Sequence, residues 1–252
     1  LHAWLLRGTA SGPGPVLVDV HGGPHNAWNP AFDGEHLYQQ VLADEGWTIL
    51  LLNPRASDGY GEEFYTATLA NWGVGDEADF LAAIDELVAD GVADPARLAV
   101  GGYSYGGYMT CWLTARTDRF AAAVAGGCVS NLATMSATSD VGLLMAPQEI
   151  GAFPHEKPEA VAERSPITHV ANVRTPTLIL HGEADQRCPV EQAEQWFAAL
   201  RAMGTEVEMV LYPGASHPFI FDGKPSHRID YNERFAAWVR THAGARDDPE
   251  GG

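Results

Sequence analysis

Short apolar runs alternate with amphipathic stretches along most of the chain. Six of these runs have the length of a β-strand and cover residues 16–20, 47–53, 97–103, 120–125, 177–180 and 206–212. Most of them are continuously apolar, which is typical of strands covered on both faces in a parallel sheet. The pattern therefore predicts a largely parallel sheet with helices on both sides.

The stretches between these runs carry helical periodicity. The clearest helix is predicted over residues 76–90, where Phe80, Ile84 and Leu87 recur at helical spacing and Gly91 stands at a C-cap position. Further helices are predicted over residues 35–44, 107–116, 190–203 and 227–241. This alternation indicates an α/β, doubly wound fold in one domain, which we place at residues 1–243.

One long segment interrupts the alternation. Residues 130–172 contain short helical fragments and Pro147, Pro154, Pro158 and Pro166 between the fourth and fifth predicted strands. A long excursion at such a point commonly overhangs a functional site, so we expect a lid or pocket wall there. The polar tail, residues 244–252, is expected to be frayed.

Composition and charge exclude several classes of protein. The 252 residues carry 33 acidic and 15 basic side chains, a formal charge of −18, which is the wrong sign for binding nucleic acid or an anionic membrane. No apolar run is long enough to span a membrane. Cys111, Cys128 and Cys188 have no CxxC spacing, so we expect a reducing, cytoplasmic location with no disulfide framework, metal or cofactor.

The sharpest chemical signal is a G-x-S-x-G pentapeptide, Gly102 to Gly106, centred on Ser104. It directly follows a predicted strand and directly precedes a predicted helix, which is the context of a nucleophile elbow. The turn is so tight that side chains at the two glycine positions would clash, and the serine is pushed above the sheet edge. Ser104 is therefore predicted to be a nucleophile.

A serine hydroxyl needs a base to take its proton and an acid to orient that base. In α/β-hydrolases these follow the serine in the order acid, then histidine, on loops after later strands. The loop after the strand at 177–180 contains Asp185, and the loop after the strand at 206–212 contains His217. We predict Asp185 as the acid and His217 as the base.

Three other residues compete for these roles. Glu183 lies in the same loop as Asp185 and is an alternative acid. His181 stands at a strand end before the acid, and His227 falls inside the last predicted helix. Packing or capping accounts for both histidines.

The carbonyl that a serine attacks develops negative charge, which requires fixed hydrogen-bond donors. The main-chain N–H of Tyr105, directly after the nucleophile, is predicted to be one donor. The second is expected from the loop His21-Gly22-Gly23-Pro24, where glycines let the backbone approach the substrate. We predict Gly23 as this donor, with Gly22 as the alternative.

Five motifs in order resemble the catalytic domain of the prolyl oligopeptidase family, and within it the acylaminoacyl-peptidase branch. They are HGGP at 21–24, NPRASDGYG at 53–61, GGYSYGGYM at 101–109, HGEADQRCP at 181–189 and YPGASHPF at 212–219. Two residues depart from the pattern, since glycine is common in place of Ala56 and valine in place of Cys188. The resemblance implies an α/β-hydrolase fold and a serine peptidase that acts on short, N-acylated or other peptides.

The resemblance also implies an N-terminal β-propeller, which nothing in this sequence could build. The chain opens in mid-pattern with the apolar piece 1–6, so we expect it to lack the first strands of the sheet and the propeller. A homo-oligomer is expected as well. The family position further implies a hydrophobic pocket for the residue before the scissile bond, whose candidate lining is Leu132, Leu143, Leu144, Met145 and Phe153.

Two other functions remain open. A carboxylesterase or thioesterase would use the same nucleophile, base and acid, because this chemistry does not distinguish an amide from an ester. A catalytically inactive binding domain is the third hypothesis. The intact set of Ser104, Asp185 and His217 argues against it.

Overall fold

The fold was analysed in a computed structural model that describes residues 1–8 and 12–244. Residues 245–252, which make up nearly all of the predicted frayed tail, lie outside the described part. The strands are β1 (His2–Arg7), β2 (Gly14–Val20), β3 (Thr48–Asn53), β4 (Ala93–Tyr103), β5 (Ala122–Gly126), β6 (Thr177–Gly182) and β7 (Val207–Tyr212).

These strands form one sheet in the order β1-β3-β2-β4-β5-β6-β7. The pair β1 and β3 is antiparallel, and all the other neighbouring pairs are parallel. The six predicted strands are thus confirmed, and the apolar piece at the start of the sequence adds β1 at one edge. Because the other strands run in the same direction, their carboxyl ends meet along one side of the sheet.

Helices follow most of the strands. They are α1 (Leu37–Asp44), α2 (Glu62–Tyr65), α3 (Gly75–Ala89), α4 (Tyr105–Arg116), α5 (Leu132–Thr138), α6 (Gly142–Met145), α7 (Pro158–Glu163), α8 (Glu191–Met203), α9 (Phe219–Asp222) and α10 (Pro225–Val239). The five helices predicted from periodicity correspond to α1, α3, α4, α8 and α10, with boundaries that differ by about two residues.

The sheet is covered on both faces, as the continuously apolar strands predict. Along β2, Val16, Val18 and Val20 pack into one buried cluster, whereas Leu17 between them packs into another. This alternation follows from the pleat, which turns successive side chains to opposite faces. The fold is therefore the doubly wound α/β-hydrolase sandwich that the sequence predicts.

The excursion between β5 and β6 consists of short helical pieces. Besides α5, α6 and α7 it contains a π-helical turn (Ala146–Ile150) and a 3-10 helix (Pro166–Asn172). It lies over the carboxyl ends of the strands, because several of its side chains line the same cavity as Ser104. The excursion therefore forms part of the wall of this cavity, as expected for a lid or pocket wall.

Among the described residues, no helix is both long enough and apolar enough to cross a lipid bilayer.

Candidate active site

Ser104 sits at the sharp turn between β4 and α4. Its backbone has φ +63° and ψ −117°, a conformation that non-glycine residues rarely adopt, and its N–H donates to the carbonyl oxygen of Gly126 at 2.9 Å. A Cβ atom added at either Gly102 or Gly106 would collide with the carbonyl oxygen of Val20. The two flanking glycines are therefore required by the turn.

Three side chains from three different loops form a hydrogen-bonded series here. His217 Nε2 lies 3.0 Å from Ser104 Oγ, and His217 Nδ1 lies 2.7 Å from Asp185 Oδ2. The other carboxylate oxygen of Asp185 accepts the backbone N–H groups of Arg187 and Cys188, both at 2.9 Å. Because the Asp185 side chain is fully buried, these bonds hold it in one orientation.

The competing residues lie apart from this series. Glu183 accepts the backbone N–H of Gly214 at 3.1 Å and is exposed. His181 is buried and donates from Nε2 to the carbonyl oxygen of Cys188 at 2.7 Å, which braces the loop that carries Asp185. His227 packs beside the ring of Tyr212.

The backbone donors predicted for the oxyanion face the same space. Gly22, Gly23 and Tyr105 line one cavity with Ser104 and His217. Within the described part of the chain, the N–H groups of Gly23 and Tyr105 donate to no protein acceptor. A Cβ atom added at Gly22 would lie 3.7 Å from Ser104 Cβ, so this loop passes directly beside the serine.

Two buried groups that the sequence did not single out support these donors. His21 donates from Nδ1 to the carbonyl oxygen of Gly22 at 2.8 Å, and its Nε2 lies 3.0 Å from Ser57 Oγ. Burial lowers the pKa of His21 to about 4, so its ring is neutral. On the other side, the hydroxyl of Tyr105 donates to Asp76, a buried carboxyl in α3 whose pKa is raised by that burial.

The cavity beside Ser104 has a volume of about 600 Å³, and we divide its lining by chemistry into two groups of residues, named the apolar arm and the polar arm. The apolar arm consists of Trp72, Tyr105, Val129, Met135 and Met145, which belong to or pack against a single hydrophobic cluster. The polar arm consists of Trp28, Asp33, Glu35, His36 and Phe221.

The five candidate pocket residues are only partly brought to this cavity. Leu144 and Met145 line it. Leu132 does not, because it is fully buried in the core beneath α5, and Leu143 is 78% exposed on the outer side of α6. Phe153 is directed away and stacks on His155. These last three residues are not in the lining of this cavity, because apolar character alone does not give the direction of a side chain on a short helix or in a loop.

Cavity residues that the sequence analysis missed include Arg187, Cys188 and Tyr103. Arg187, the one arginine or lysine among the lining residues, pairs with Asp140 at 2.7 Å. Cys188 Sγ lies 4.0 Å from Ser104 Oγ, and the Tyr103 hydroxyl donates to the backbone oxygen of His217 at 2.8 Å. All three lie within three positions of a predicted catalytic residue in sequence, which is the signal that could have found them.

The described residues contain one group of side chains with the composition of a metal site, Asp33, Glu35 and His36, whose donor atoms lie within 4.8 Å of one another. Asp33 is already engaged there, since it accepts from His36 Nδ1 at 2.7 Å and from the backbone N–H of Glu35 at 2.8 Å. These bonds account for the grouping as local order in the loop before α1.

A nucleophile elbow on an α/β-hydrolase sheet, with a histidine and a buried carboxylate aligned on the serine, defines the class of serine hydrolases. Comparison with known proteins narrows this class. The sequence matches the prolyl oligopeptidase family over residues 33–246, and the chain belongs to that family.

Three similar proteins agree with this assignment. The uncharacterized peptidase YuxL of Bacillus subtilis is 40% identical over 96% of this chain and 37% of its own length. An acylaminoacyl peptidase of Pyrococcus horikoshii superposes with a TM-score of 0.91 at 31% identity, over 98% of this chain and 40% of that one. An acylaminoacyl peptidase in complex with Z-Gly-Gly-Phe-chloromethyl ketone superposes with a TM-score of 0.91 at 32% identity, over 99% of this chain and 40% of that one. The chain thus spans about two fifths of the length of these relatives.

Proposed function

We propose that this chain is a serine peptidase domain that cleaves peptide bonds through an acyl-enzyme intermediate. The single observation that carries the proposal is the unbroken hydrogen-bonded series from Ser104 through His217 to Asp185. It lies at the carboxyl edge of the sheet and opens into a cavity large enough for peptide side chains.

The tautomer of His217 follows from its partners. The Asp185 carboxylate can only accept, so Nδ1 of His217 carries the proton and Nε2 presents a lone pair to the Ser104 hydroxyl. His217 Nε2 takes the hydroxyl proton as Ser104 Oγ bonds to the substrate carbonyl carbon. It then gives that proton to the amine as the C–N bond breaks. Water, activated in the same way, hydrolyses the resulting ester and restores the serine.

The carbonyl oxygen becomes negative during both attacks. We assign its stabilisation to the N–H groups of Tyr105 and Gly23, which have no other acceptor in the described chain. Gly22 lies close enough to be the alternative to Gly23. Because these donors are fixed by the elbow and by the His21 side chain, they need no rearrangement when the charge develops.

The substrate proposal is a short peptide, N-acylated or not. Acylaminoacyl peptidases are among the similar proteins, and we assign to Arg187, a lining residue paired with Asp140, a hydrogen bond to a peptide carbonyl. We assign the apolar arm to the side chain before the scissile bond. A propeller segment that restricts substrate length, a homo-oligomer and a reducing, cytoplasmic location remain part of the proposal, the last supported by three free, buried cysteines.

A fluorophosphonate probe tests the nucleophile. The wild type should be labelled once, and Ser104→Ala should lose both labelling and hydrolysis of acetyl-norleucine p-nitroanilide. Ser226→Ala, at an exposed serine in α10, is the matched control and should behave as wild type. Hydrolysis of p-nitrophenyl esters without any Ser104-dependent hydrolysis of the anilide would favour the esterase instead.

A further inference from the structure

A carboxylate stands in the otherwise hydrophobic lining next to the apolar arm. Glu149 belongs to the π-helical turn of the excursion, lines the cavity, and has a side chain that is 18% exposed. An unneutralised carboxylate in such surroundings is unfavourable, and it would attract a cationic substrate side chain.

Glu149 is held firmly in this position. Its Oε2 accepts from Trp72 Nε1 at 3.1 Å, and its backbone oxygen accepts from the N–H of Ala70 at 2.9 Å. The Trp72 ring in turn contacts the ring of Tyr105, the residue after the nucleophile, at a centroid distance of 5.0 Å. The carboxylate is therefore a fixed part of the wall and not a mobile surface group.

The remaining oxygen of Glu149 meets His25, the residue after the glycine-proline turn of the oxyanion loop. His25 Nε2 lies 3.0 Å from Glu149 Oε1, and His25 Nδ1 lies 3.1 Å from the carbonyl oxygen of Ala56. Both partners are acceptors, so both bonds form only when the ring carries a proton on each nitrogen. His25 then has the positive charge that neutralises Glu149.

Within the described chain, one other cation lies close to His25 and Glu149, since Arg164 Nη1 donates to the backbone oxygens of Ala70 and, at 3.1 Å, of Ile150, the residue after Glu149. The His25 ring stacks on Tyr65 at 4.1 Å, and its side chain is 16% exposed. Arg187, elsewhere in the lining, is paired with Asp140. The two carboxylate oxygens of Glu149 accept from His25 and Trp72, so among the described residues His25 is the one ionisable base in direct contact with this carboxylate.

We propose that the His25–Glu149 pair determines the charge preference of the pocket for the residue before the scissile bond. With the pair intact, the wall is neutral and the pocket selects uncharged side chains. When Glu149 loses its cationic partner, the same pocket accepts lysine. This inference rests on the proposed peptidase function and specifies its substrate class.

Two p-nitroanilides provide the test, acetyl-norleucine and acetyl-lysine, whose side chains share four carbons and differ in the terminal ammonium. The quantity measured is the ratio of kcat/KM for lysine to that for norleucine. This ratio does not depend on the fraction of enzyme that is folded. The wild type should strongly favour norleucine.

The informative variant is His25→Gln, whose neutral amide can donate to the same acceptors but leaves Glu149 uncompensated. We expect the lysine-to-norleucine ratio to rise by about tenfold. Glu149→Gln is the matched control and should not raise it, because an amide donates to a neutral His25 and carries no charge. The double variant His25→Gln, Glu149→Gln should return the ratio to the wild-type value.

An unchanged ratio in His25→Gln, with norleucine hydrolysis intact, would overturn the inference and leave the peptidase function standing. If His25→Gln loses all activity, His25→Phe takes its place, because a phenyl ring preserves the stacking on Tyr65 and the same rise is expected. Absence of Ser104-dependent hydrolysis of either anilide in the wild type would overturn both proposals.

Discussion

Among the histidine–carboxylate pairs that border this cavity, His217–Asp185 and His25–Glu149 differ in what lies on the far side of the imidazole. In His217–Asp185 the second ring nitrogen faces the hydroxyl of Ser104, which can donate. In His25–Glu149 it faces the carbonyl of Ala56, which can only accept. The second ring nitrogen of the first histidine can therefore accept from a hydroxyl, as its proposed role of base requires, whereas the second histidine can bond both neighbours only through an N–H on each ring nitrogen.

The comparison shows that residue type does not decide the role of such a pair. Both carboxylates accept from a histidine nitrogen at 3.0 Å or less. The third group, hydroxyl or carbonyl, decides whether the pair moves a proton or holds a charge. Replacing single atoms in each pair should therefore have very different consequences.

The largest effect is expected from changing a carboxylate to an amide in the first pair. Asp185→Asn removes the acceptor that fixes the His217 tautomer, so kcat on acetyl-norleucine p-nitroanilide should fall by about 10⁴-fold. The equivalent change in the second pair, Glu149→Gln, should cost less than about tenfold on this uncharged substrate. Near-normal turnover in Asp185→Asn would move the role of acid to Glu183.

Complete removal of the second carboxylate should lower the free energy of unfolding. Glu149→Ala leaves the donors of Trp72 and His25 without their acceptor, and we expect the free energy of unfolding to fall by about 2 kcal/mol. Glu149→Gln keeps an acceptor for Trp72, so its free energy of unfolding should fall by less than about 1 kcal/mol. Urea denaturation of both variants measures the difference, and equal losses would show that the contacts of Glu149 do not matter.

Asp19 on β2 differs from Asp185 and Glu149, because the side chain that donates to its carboxylate is an amide and not a histidine. It is fully buried, its Oδ2 accepts from Gln39 Nε2 at 2.8 Å, and its Oδ1 has no partner among the described residues. Burial raises the pKa of Asp19 from 3.8 to about 6. The folded state therefore holds a proton that the unfolded state releases.

The buried Asp19 should make the stability of the fold depend on pH. Because the folded pKa is the higher one, ionised Asp19 destabilises the fold fully above about pH 6 and not at all below about pH 4. Asp19→Asn should raise the free energy of unfolding by about 2 kcal/mol at pH 7.5 and change it little at pH 4. Asp118→Asn, at an exposed position, is the control and should show no such trend. A gain that does not depend on pH would contradict the burial argument.

The smallest effect concerns the carbonyl that meets His25. Ala56 is buried with φ +85°, a glycine-like backbone that presents its oxygen to the ring. Ala56→Gly should relieve local strain, but it also increases the conformational entropy of the unfolded chain, which offsets part of that gain and leaves a net stabilisation of at most about 1 kcal/mol. Thermal unfolding should show Tm unchanged or slightly raised. A marked fall in Tm would mean that packing of the methyl group stabilises the fold by more than the backbone strain destabilises it.

Much of the sheet edge could be predicted from sequence because each signal there is local. A glycine on either side of Ser104, a strand before it and a helix after it specify the elbow, and the parallel sheet brings the loops of Asp185 and His217 to the same edge. Chain order does not separate Asp185 from Glu183, because both lie in the same loop before His217, and the 2.7 Å contact between Asp185 and His217 supplies the geometry that the sequence lacks.

The cavity wall could not be predicted in this way. The helices of the excursion are four to seven residues long, so tertiary packing rather than periodicity sets which side each residue faces. Leu132 and Leu143 are both leucines, yet one is buried and the other exposed. The His25–Glu149 contact joins residues 124 positions apart, and no local sequence pattern predicts it.

The origin of the site in separate parallel strands has a consequence during synthesis. His217 follows Ser104 by 113 positions. At ribosomal rates of roughly 5–20 residues per second, His217 is synthesised on the order of 10 s after Ser104. A half-made chain therefore carries a nucleophile that cannot be activated. The proposed peptidase activity would therefore appear only after the last strands have been translated and paired.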